Sequence, residues 1–474
     1  MKKFVAFTMA LAMLICVGGC KSTNDGGSSS DVQTSNENSE IEYQQVYIDE
    51  SGNEITSSNA ITSSKNETAS SQTDKTSSET QTSSKEEVSS LQTSGNTQTT
   101  SSKNETTNST SSSNKNPVEI DYNTVVDVDI CDDVIRGYLE ADNASKQYHW
   151  LSTYSYNYSS TRYDYQKATL DWKIDFSTEY TVYFSEKSDF SNAYVVKTKD
   201  TTLKDTILVP GKTYYWKVMG TISNEPIGGG RIHINDMPVR WINVEGTGNV
   251  RDIGGWTTSS GKKVNYGKIY RGQKLDDVKE AGLATLKSLS IKTELDLRYA
   301  KQSEDYKNSS SACLGKFNYV FLETNCQYDD IFNNEDEMKK NYNELFKYLA
   351  DESNYPVYLH CSGGADRTGT FAYLANGLLG VSYEDLTRDF ELTSFSTSGK
   401  RWRGNGSGNT FGKNDLEMEV SGNYVAWGKL NKQMMEYGEE NGCSTLQQSI
   451  EHYLVNKLGV PQSNIDSFKK IMLG

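Results

Sequence analysis

The sequence predicts a multidomain chain: a C-terminal α/β domain with a central sheet wrapped by helices, preceded by an all-β sandwich and a disordered tether. Three observations predict it. Residues 21–117 are Ser, Thr, Asn, Gln, Lys and Glu with almost no large apolar side chain, too little to repay the entropy of folding. From about Val118 the composition turns to aromatic and β-branched runs without a helical period. From about residue 241 strand-like and helix-like segments alternate, as an α/β sheet requires. With 474 residues there is room for two or three domains. The expected divisions are 1–19, 20–117, 118–240 and 241–474.

The first division reads as an export leader. Met1-Lys2-Lys3 precedes an apolar run over 4–17 that is too short to span a bilayer. Val17-Gly18-Gly19-Cys20 resembles the lipobox of bacterial lipoproteins, in which the cysteine becomes the acylated N-terminus. The resemblance implies lipidation at Cys20 and anchoring on the extracytoplasmic face of the cell membrane, since two acyl chains hold stably. The tether that follows has a root-mean-square reach of roughly 50–60 Å as a flexible coil. A short apolar patch over 41–48 interrupts it and reads as a transient strand.

In the third division, Leu170-Asp171-Trp172-Lys173-Ile174, Tyr180-Thr181-Val182-Tyr183-Phe184 and Tyr214-Tyr215-Trp216-Lys217-Val218 are separated by turn-like stretches. That pattern suits a small antiparallel sandwich. Leu208-Val209-Pro210-Gly211-Lys212-Thr213-Tyr214 resembles the corner of fibronectin type III domains, with Trp172 where their core Trp sits. The resemblance implies an Ig/fibronectin-like fold for 118–240. Its many tyrosines (Tyr154, Tyr156, Tyr158, Tyr163, Tyr165) fit either a binding face or ordinary core and edge packing.

The fourth division reads as a helix over 282–289, strands over 291–297 and 317–322, and a helix over 338–350. A strand over 357–359 follows, then helices over 370–379, 383–392 and 446–458. In such sheets ligands bind at strand C-termini. The glycine-rich stretch 404–408 fits a mobile lid or a surface insertion.

The chemistry concentrates in His360-Cys361-Ser362-Gly363-Gly364-Ala365-Asp366-Arg367-Thr368-Gly369, set between the strand at 357–359 and the helix at 370–379. A strand, a tight loop and a helix start make a cup of backbone N–H groups over the positive end of a helix dipole. A free thiol ionises near pH ~8.5, so a nucleophilic cysteine needs help. Loop amides, helix terminus and Arg367 all favour the thiolate at Cys361, and Thr368 turns a hydroxyl towards the sulfur. The Arg367 fork suits two phosphate oxygens at once. Ser362, Gly363, Gly364 and Ala365 supply the amides, the glycines permitting close approach and positive φ. Asp366 is placed to protonate a leaving oxygen or to orient the water that releases phosphate. The reaction suggested is phosphoryl transfer through a phosphocysteine.

This string resembles the signature of the cysteine-dependent tyrosine phosphatases, His-Cys, five residues, then Arg. The Asp-Arg-Thr-Gly ending resembles the bacterial tyrosine/dual-specificity branch, whose loop Asp is placed like that of the myotubularin lipid phosphatases. Asn249-Val250-Arg251-Asp252-Ile253-Gly254-Gly255, Ile269-Tyr270-Arg271-Gly272 and Leu295-Asp296-Leu297-Arg298, with Glu304 beyond, resemble further motifs of that family in the same order. The resemblance covers about 249–474. It implies a phosphatase fold, phosphorylated proteins or small phosphomonoesters as substrates, and no cofactor. Members acting on phosphoinositides often carry Lys where this chain has Ala365, so the resemblance implies phosphotyrosine first and inositol polyphosphates second. Arg251, Arg271 and Arg298 are either accessory cations of the pocket or salt-bridging arginines. Asp366 is the first candidate for proton transfer. Asp329, about thirty residues before the cysteine as in many relatives, is the reserve, and Asp330 neighbours it.

Charge and cysteine usage bound the rest. The net charge is −15 and the sequence pI about 4.9 with mean hydropathy −0.68, which excludes a nucleic-acid partner and leaves the lipid anchor as the membrane contact. Beyond Cys16 and Cys20 stand Cys131, Cys313, Cys326, Cys361 and Cys443, an odd number unsuited to a disulfide framework. Cys313 and Cys326 read as buried thiols or as partners protecting Cys361. His149, His233, His360 and His452 lack metal-ligand spacing. Asp127, Asp129, Asp132 and Asp133 lack the glycine and terminal Glu of a calcium loop, so no metal is expected. A third reading is a surface binding protein that uses the sandwich for recognition and the α/β domain as scaffold.

Overall fold

The computed structural model describes residues 42–45, 47–48, 54–55, 119–155, 170–172, 175–203, 208–222, 224–298, 311–399, 401–403 and 426–474. The leader with Cys20, the tyrosines at 156, 158, 163 and 165, Glu304 and the stretch 404–408 lie outside the described residues. Among the described residues no helix is long and apolar enough to cross a membrane.

The N-terminal strands are β1 (Glu42–Gln45), β2 (Tyr47–Ile48), β3 (Glu54–Ile55), β4 (Val125–Val128) and β5 (Leu170–Asp171). They are followed by β6 (Tyr180–Ser185), β7 (Tyr194–Thr198), β8 (Thr202–Leu203), β9 (Thr213–Gly220) and β10 (Gly228–Ile234). Six of them form one sheet in the order β1-β7-β6-β9-β10-β4. The pairs β2–β3 and β5–β8 are separate antiparallel ribbons. Trp172, Tyr180, Val182, Phe184, Trp216 and Val218 share one core, so the three runs singled out above do pack together. The apolar patch in the tether includes β1, which pairs antiparallel with β7.

The α/β domain is built on a five-stranded sheet. Its strands are β11 (Arg251–Asp252), β12 (Ile269–Gly272), β13 (Thr293–Asp296), β14 (Asn318–Phe321) and β15 (Val357–His360), in the order β11-β12-β15-β13-β14. β12, β15, β13 and β14 run parallel, and β11 closes one edge antiparallel. β15 is central and buried along its whole length, as a parallel strand covered on both faces must be.

Behind it runs the helix Arg367–Leu378, in which every residue is buried. It lacks an amphipathic pattern because it runs through the middle of the domain. Gly377 lets the helix Leu446–His452 come close, since a Cβ there would lie 2.4 Å from Ile450 Cδ1. Helix Glu335–Leu349 does show a stripe (Met338, Tyr342, Leu345, Phe346, Leu349), and Glu335, Asp336 and Glu337 sit at the positive end of its dipole. The helix expected over 338–350 thus starts three residues earlier, with these acids as its first turn. Helices Ala426–Glu440 and Gln462–Leu473 were not expected.

Residues 133–154, expected inside an all-β sandwich, form two helices, Asp133–Leu139 and Ala144–Tyr154. Asp132 and Asn143 are their N-caps, accepting from the Val134 and Lys146 amides. Within the acidic cluster, Asp132 caps the first helix, Asp133 sits in its first turn and Asp129 pairs with Arg136. The buried faces of the two helices (Ile135, Tyr138, Leu139, Leu151) join the core of the α/β domain, not that of the six-stranded sheet.

Candidate active site

Three strand ends meet at one edge of the α/β sheet. Gly272 and Asp296 both pair with His360, the last residue of β15. Register therefore brings three segments that are far apart in sequence, 269–272, 295–298 and 360–369, side by side at the strand C-termini. The loop between His360 and Arg367 fills the space in front of them.

Its backbone is held from outside. The Asn249 side chain donates to the carbonyls of Gly363 and Gly364 at 3.2 and 3.1 Å. Ser398 Oγ donates to Gly363 O at 2.6 Å, and Lys274 N to Ser362 O at 3.2 Å. Arg271 donates to Gly364 O at 2.8 Å and Ala365 O at 3.4 Å. Gly364 has φ of 63°, and a Cβ on it would lie 2.0 Å from Gly272 O, so only glycine fits. Gly363 has no positive φ, and a Cβ placed on it would meet nothing closer than 3.9 Å. Of the two glycines only Gly364 uses the conformational freedom expected of both.

Cys361 is 2 % exposed. Burial works against its thiolate, but the Arg367 guanidinium, the Thr368 hydroxyl and the Thr368 amide outweigh it, even with Asp366 opposing. The thiol lies below the ordinary cysteine value. The Thr368 hydroxyl is buried, and its side chain favours the thiolate. Arg367 opens the helix, is 9 % exposed, and donates to Leu297 O at 3.4 Å. Cys313 and Cys326 are buried free thiols, each pushed up to about 12, mainly by burial.

His360 precedes Cys361 and is fully buried between Glu294 Oε1 at 3.1 Å and the Cys361 carbonyl at 3.0 Å. Burial disfavours its charged form, yet Asp296 and Glu294 override this and raise its affinity for a proton.

The three candidate accessory arginines all have acidic or backbone partners. Arg251 and Arg271 share buried Asp389, Arg251 Nε at 2.8 Å and Arg271 through its other oxygen. Arg298 engages Asp296 at 2.6 Å and Asp276 at 2.8 Å. Of the two readings left open, the geometry shows the salt-bridging one.

Asp366 stands at the loop exit, its side chain 26 % exposed. Its two oxygens take the fork of Arg401, at 2.8 Å from Nε and 3.0 Å from Nη2, and one also accepts from the Tyr328 hydroxyl. Burial, then Asp366, raise the Tyr328 phenol well above its ordinary value, so it stays a donor. Tyr328 has φ of 53°, a strained conformation for an aromatic residue. Asp329 is the next residue, precedes the short helix Asp330–Asn333, and makes no cap bond to it. Tyr328 and Arg401 carried no motif; the one signal near Tyr328 was the acid beside it. Among the described residues no group of three or more His, Cys, Asp or Glu is placed to hold a metal ion.

Residues 242–474 match the family model described as Tyrosine phosphatase family. No curated protein matches the chain. Among solved structures, the core catalytic domain of the PP-IP phosphatase SIW14 from S. cerevisiae, in complex with citrate, matches at 13% identity, covering 38% of this chain and 90% of that one with a TM-score of 0.20.

Proposed function

We propose that this chain is a phosphatase that hydrolyses phosphomonoesters through a phosphocysteine formed at Cys361. One observation carries the reading: a buried cysteine, its thiol below the ordinary value, opens a loop that ends on Arg367 at a helix start. With the loop carbonyls bonded outward, the loop amides are the groups that would meet an oxyanion. The thiolate attacks phosphorus, the P–O ester bond breaks, and its electron pair leaves with the alcohol oxygen. Arg367 and the amides meet the charge on the transferring group. Water then attacks phosphorus, the S–P bond breaks, and the thiolate and inorganic phosphate are released. Proton handling beside the phosphate falls to Asp366, with Asp329 in reserve. The match of 242–474 to the tyrosine phosphatase family model supports the same chemistry.

Protein phosphotyrosine is the default substrate in this reading. Ala365 adds no cation to the loop, and Arg271 and Arg298 are engaged by carboxylates, which disfavours a polyphosphorylated inositol ring. Acylation at Cys20 would hold the enzyme outside the cytoplasmic membrane. The upstream sheet, read as fibronectin-like, would position it there; a bond from Val209 N to the Tyr214 hydroxyl at 3.2 Å supports that reading as a tyrosine corner.

The test is turnover of phosphotyrosine peptide and inositol polyphosphates by the purified chain in the presence of a chelator. Vanadate inhibits and Cys361→Ser is inactive. Full activity of Cys361→Ser rejects the mechanism.

A further inference from the structure

We infer that Arg401 is a positioning residue that commits Asp366 to the second half of the reaction, hydrolysis of the phosphocysteine. The inference rests on the reading of Cys361 as the nucleophile and asks which step its neighbouring carboxylate serves.

The geometry around Asp366 is that of an acceptor. The Arg401 fork supplies a donor to each oxygen, and the Tyr328 hydroxyl supplies a third. Guanidinium and phenol are both donors here, and an ionised carboxylate is acceptor-only, so the three bonds describe a carboxylate without its proton. Such a group cannot hand a proton to a departing oxygen, but it can take one from water. In the step assigned, a water oxygen bonds to phosphorus, the S–P bond breaks with its pair returning to Cys361 sulfur, and one water proton passes to Asp366. That proton then goes to solvent. In the first half-reaction a phenolate leaves as the anion and takes its proton from bulk water, which suits aryl esters.

Arg401 is itself fixed by packing that no local motif encodes. Its backbone N–H donates to Ser394 Oγ at 2.8 Å, and its carbonyl accepts from the same hydroxyl at 2.7 Å. Trp402 packs edge-on to Tyr148, with ring centroids 5.3 Å apart. Arg403 grips Glu391 at 2.7 and 2.9 Å and also reaches Gln147. Glu391 in turn accepts from the Tyr138 hydroxyl at 2.6 Å. Tyr138, Gln147 and Tyr148 all belong to the two helices over 133–154. That pair braces the segment that delivers Arg401 to Asp366.

The experiment is stopped-flow and quenched-flow turnover of p-nitrophenyl phosphate by the full chain, wild type against Arg401→Ala, Arg401→Lys and Asp366→Asn. The step assignment predicts that Arg401→Ala lowers kcat by roughly 10–100-fold, the usual cost of losing a second group that orients a catalytic one. It predicts kcat/KM, which reports steps through P–O cleavage, changing by less than about threefold. A burst of one nitrophenolate per enzyme appears, and phosphate is trapped on Cys361. Arg401→Lys recovers part of kcat, and adding Arg401→Ala to Asp366→Asn costs nothing further. Should Arg401→Ala fail to fold, Arg401→Lys and Asp366→Asn must show the same burst. A steeper dependence of kcat/KM on leaving-group pKa in Asp366→Asn, or a parallel fall of kcat and kcat/KM without a burst, overturns the inference. Failure of the wild type to form any phosphocysteine, with Cys361→Ser still active, overturns the underlying reading instead.

Discussion

The guanidinium of Arg271 donates to the carbonyl oxygen of Gly364 at 2.8 Å while its other nitrogen pairs with buried Asp389. One side chain thus ties the back of the loop over 361–366 to the helix Tyr383–Leu392, which carries Asp389. Replacing Arg271 with Ala strips the loop of its support and leaves a buried carboxylate short of one partner. Breaking a buried pair from one side costs about 3–5 kcal/mol. Arg271→Ala is expected to lose stability on that scale in urea unfolding; retention of wild-type stability contradicts the role.

The two loop glycines separate cleanly. Gly364→Ala forces a Cβ into Gly272 O at a positive φ, whereas Gly363→Ala introduces contacts no closer than 3.9 Å. Gly364→Ala should lose nearly all turnover, and Gly363→Ala should keep its melting temperature within a degree or two of wild type. Equal damage from both, in parallel kinetic and thermal measurements, contradicts the assigned geometry.

Thiol ionisation gives a direct reading of the site's field. Burial opposes the Cys361 thiolate, and Arg367 with Thr368 overcomes it. The rate of iodoacetamide alkylation of the free enzyme should rise with pH to a midpoint below the ordinary ~8.5 of cysteine. Arg367→Ala should move that midpoint upward. A wild-type midpoint at or above the ordinary value refutes the electrostatic account.

His360 links stability to pH. Its folded-state proton affinity is raised: burial opposes the charge, but Asp296 and Glu294 more than compensate. The folded state therefore binds the proton more tightly than the unfolded chain, whose His titrates near ~6.5. The stabilisation is fully present below that value and is lost as pH rises through the folded one. In a Cys361→Ser background, which removes the thiol's opposite contribution, the melting temperature should fall from about pH 6 to about pH 9. His360→Asn should flatten that slope; an unchanged slope sinks the assignment.

By itself the sequence determined the parts whose physics is local. The spacing from Cys361 to Arg367 compels a loop between a strand and a helix start, and strand and helix periods placed β13, β14, β15 and the helix Tyr383–Leu392 within a few residues. The loop from Cys361 to the helix start at Arg367 and the sheet edge it sits on were legible because each depends on neighbours a few positions away. The tertiary structure decided who faces whom. Arg271 meets Asp389 across 118 positions, Asp366 meets Arg401 across 35, and Tyr138 meets Glu391 across 253. Such pairings follow from how helices stack on the sheet, which no window of sequence contains. So three arginines that read equally as phosphate ligands have carboxylate partners, and a segment that reads as sandwich supplies helices to the α/β domain, because buried charge and apolar helix faces must find partners wherever the packed chain places them.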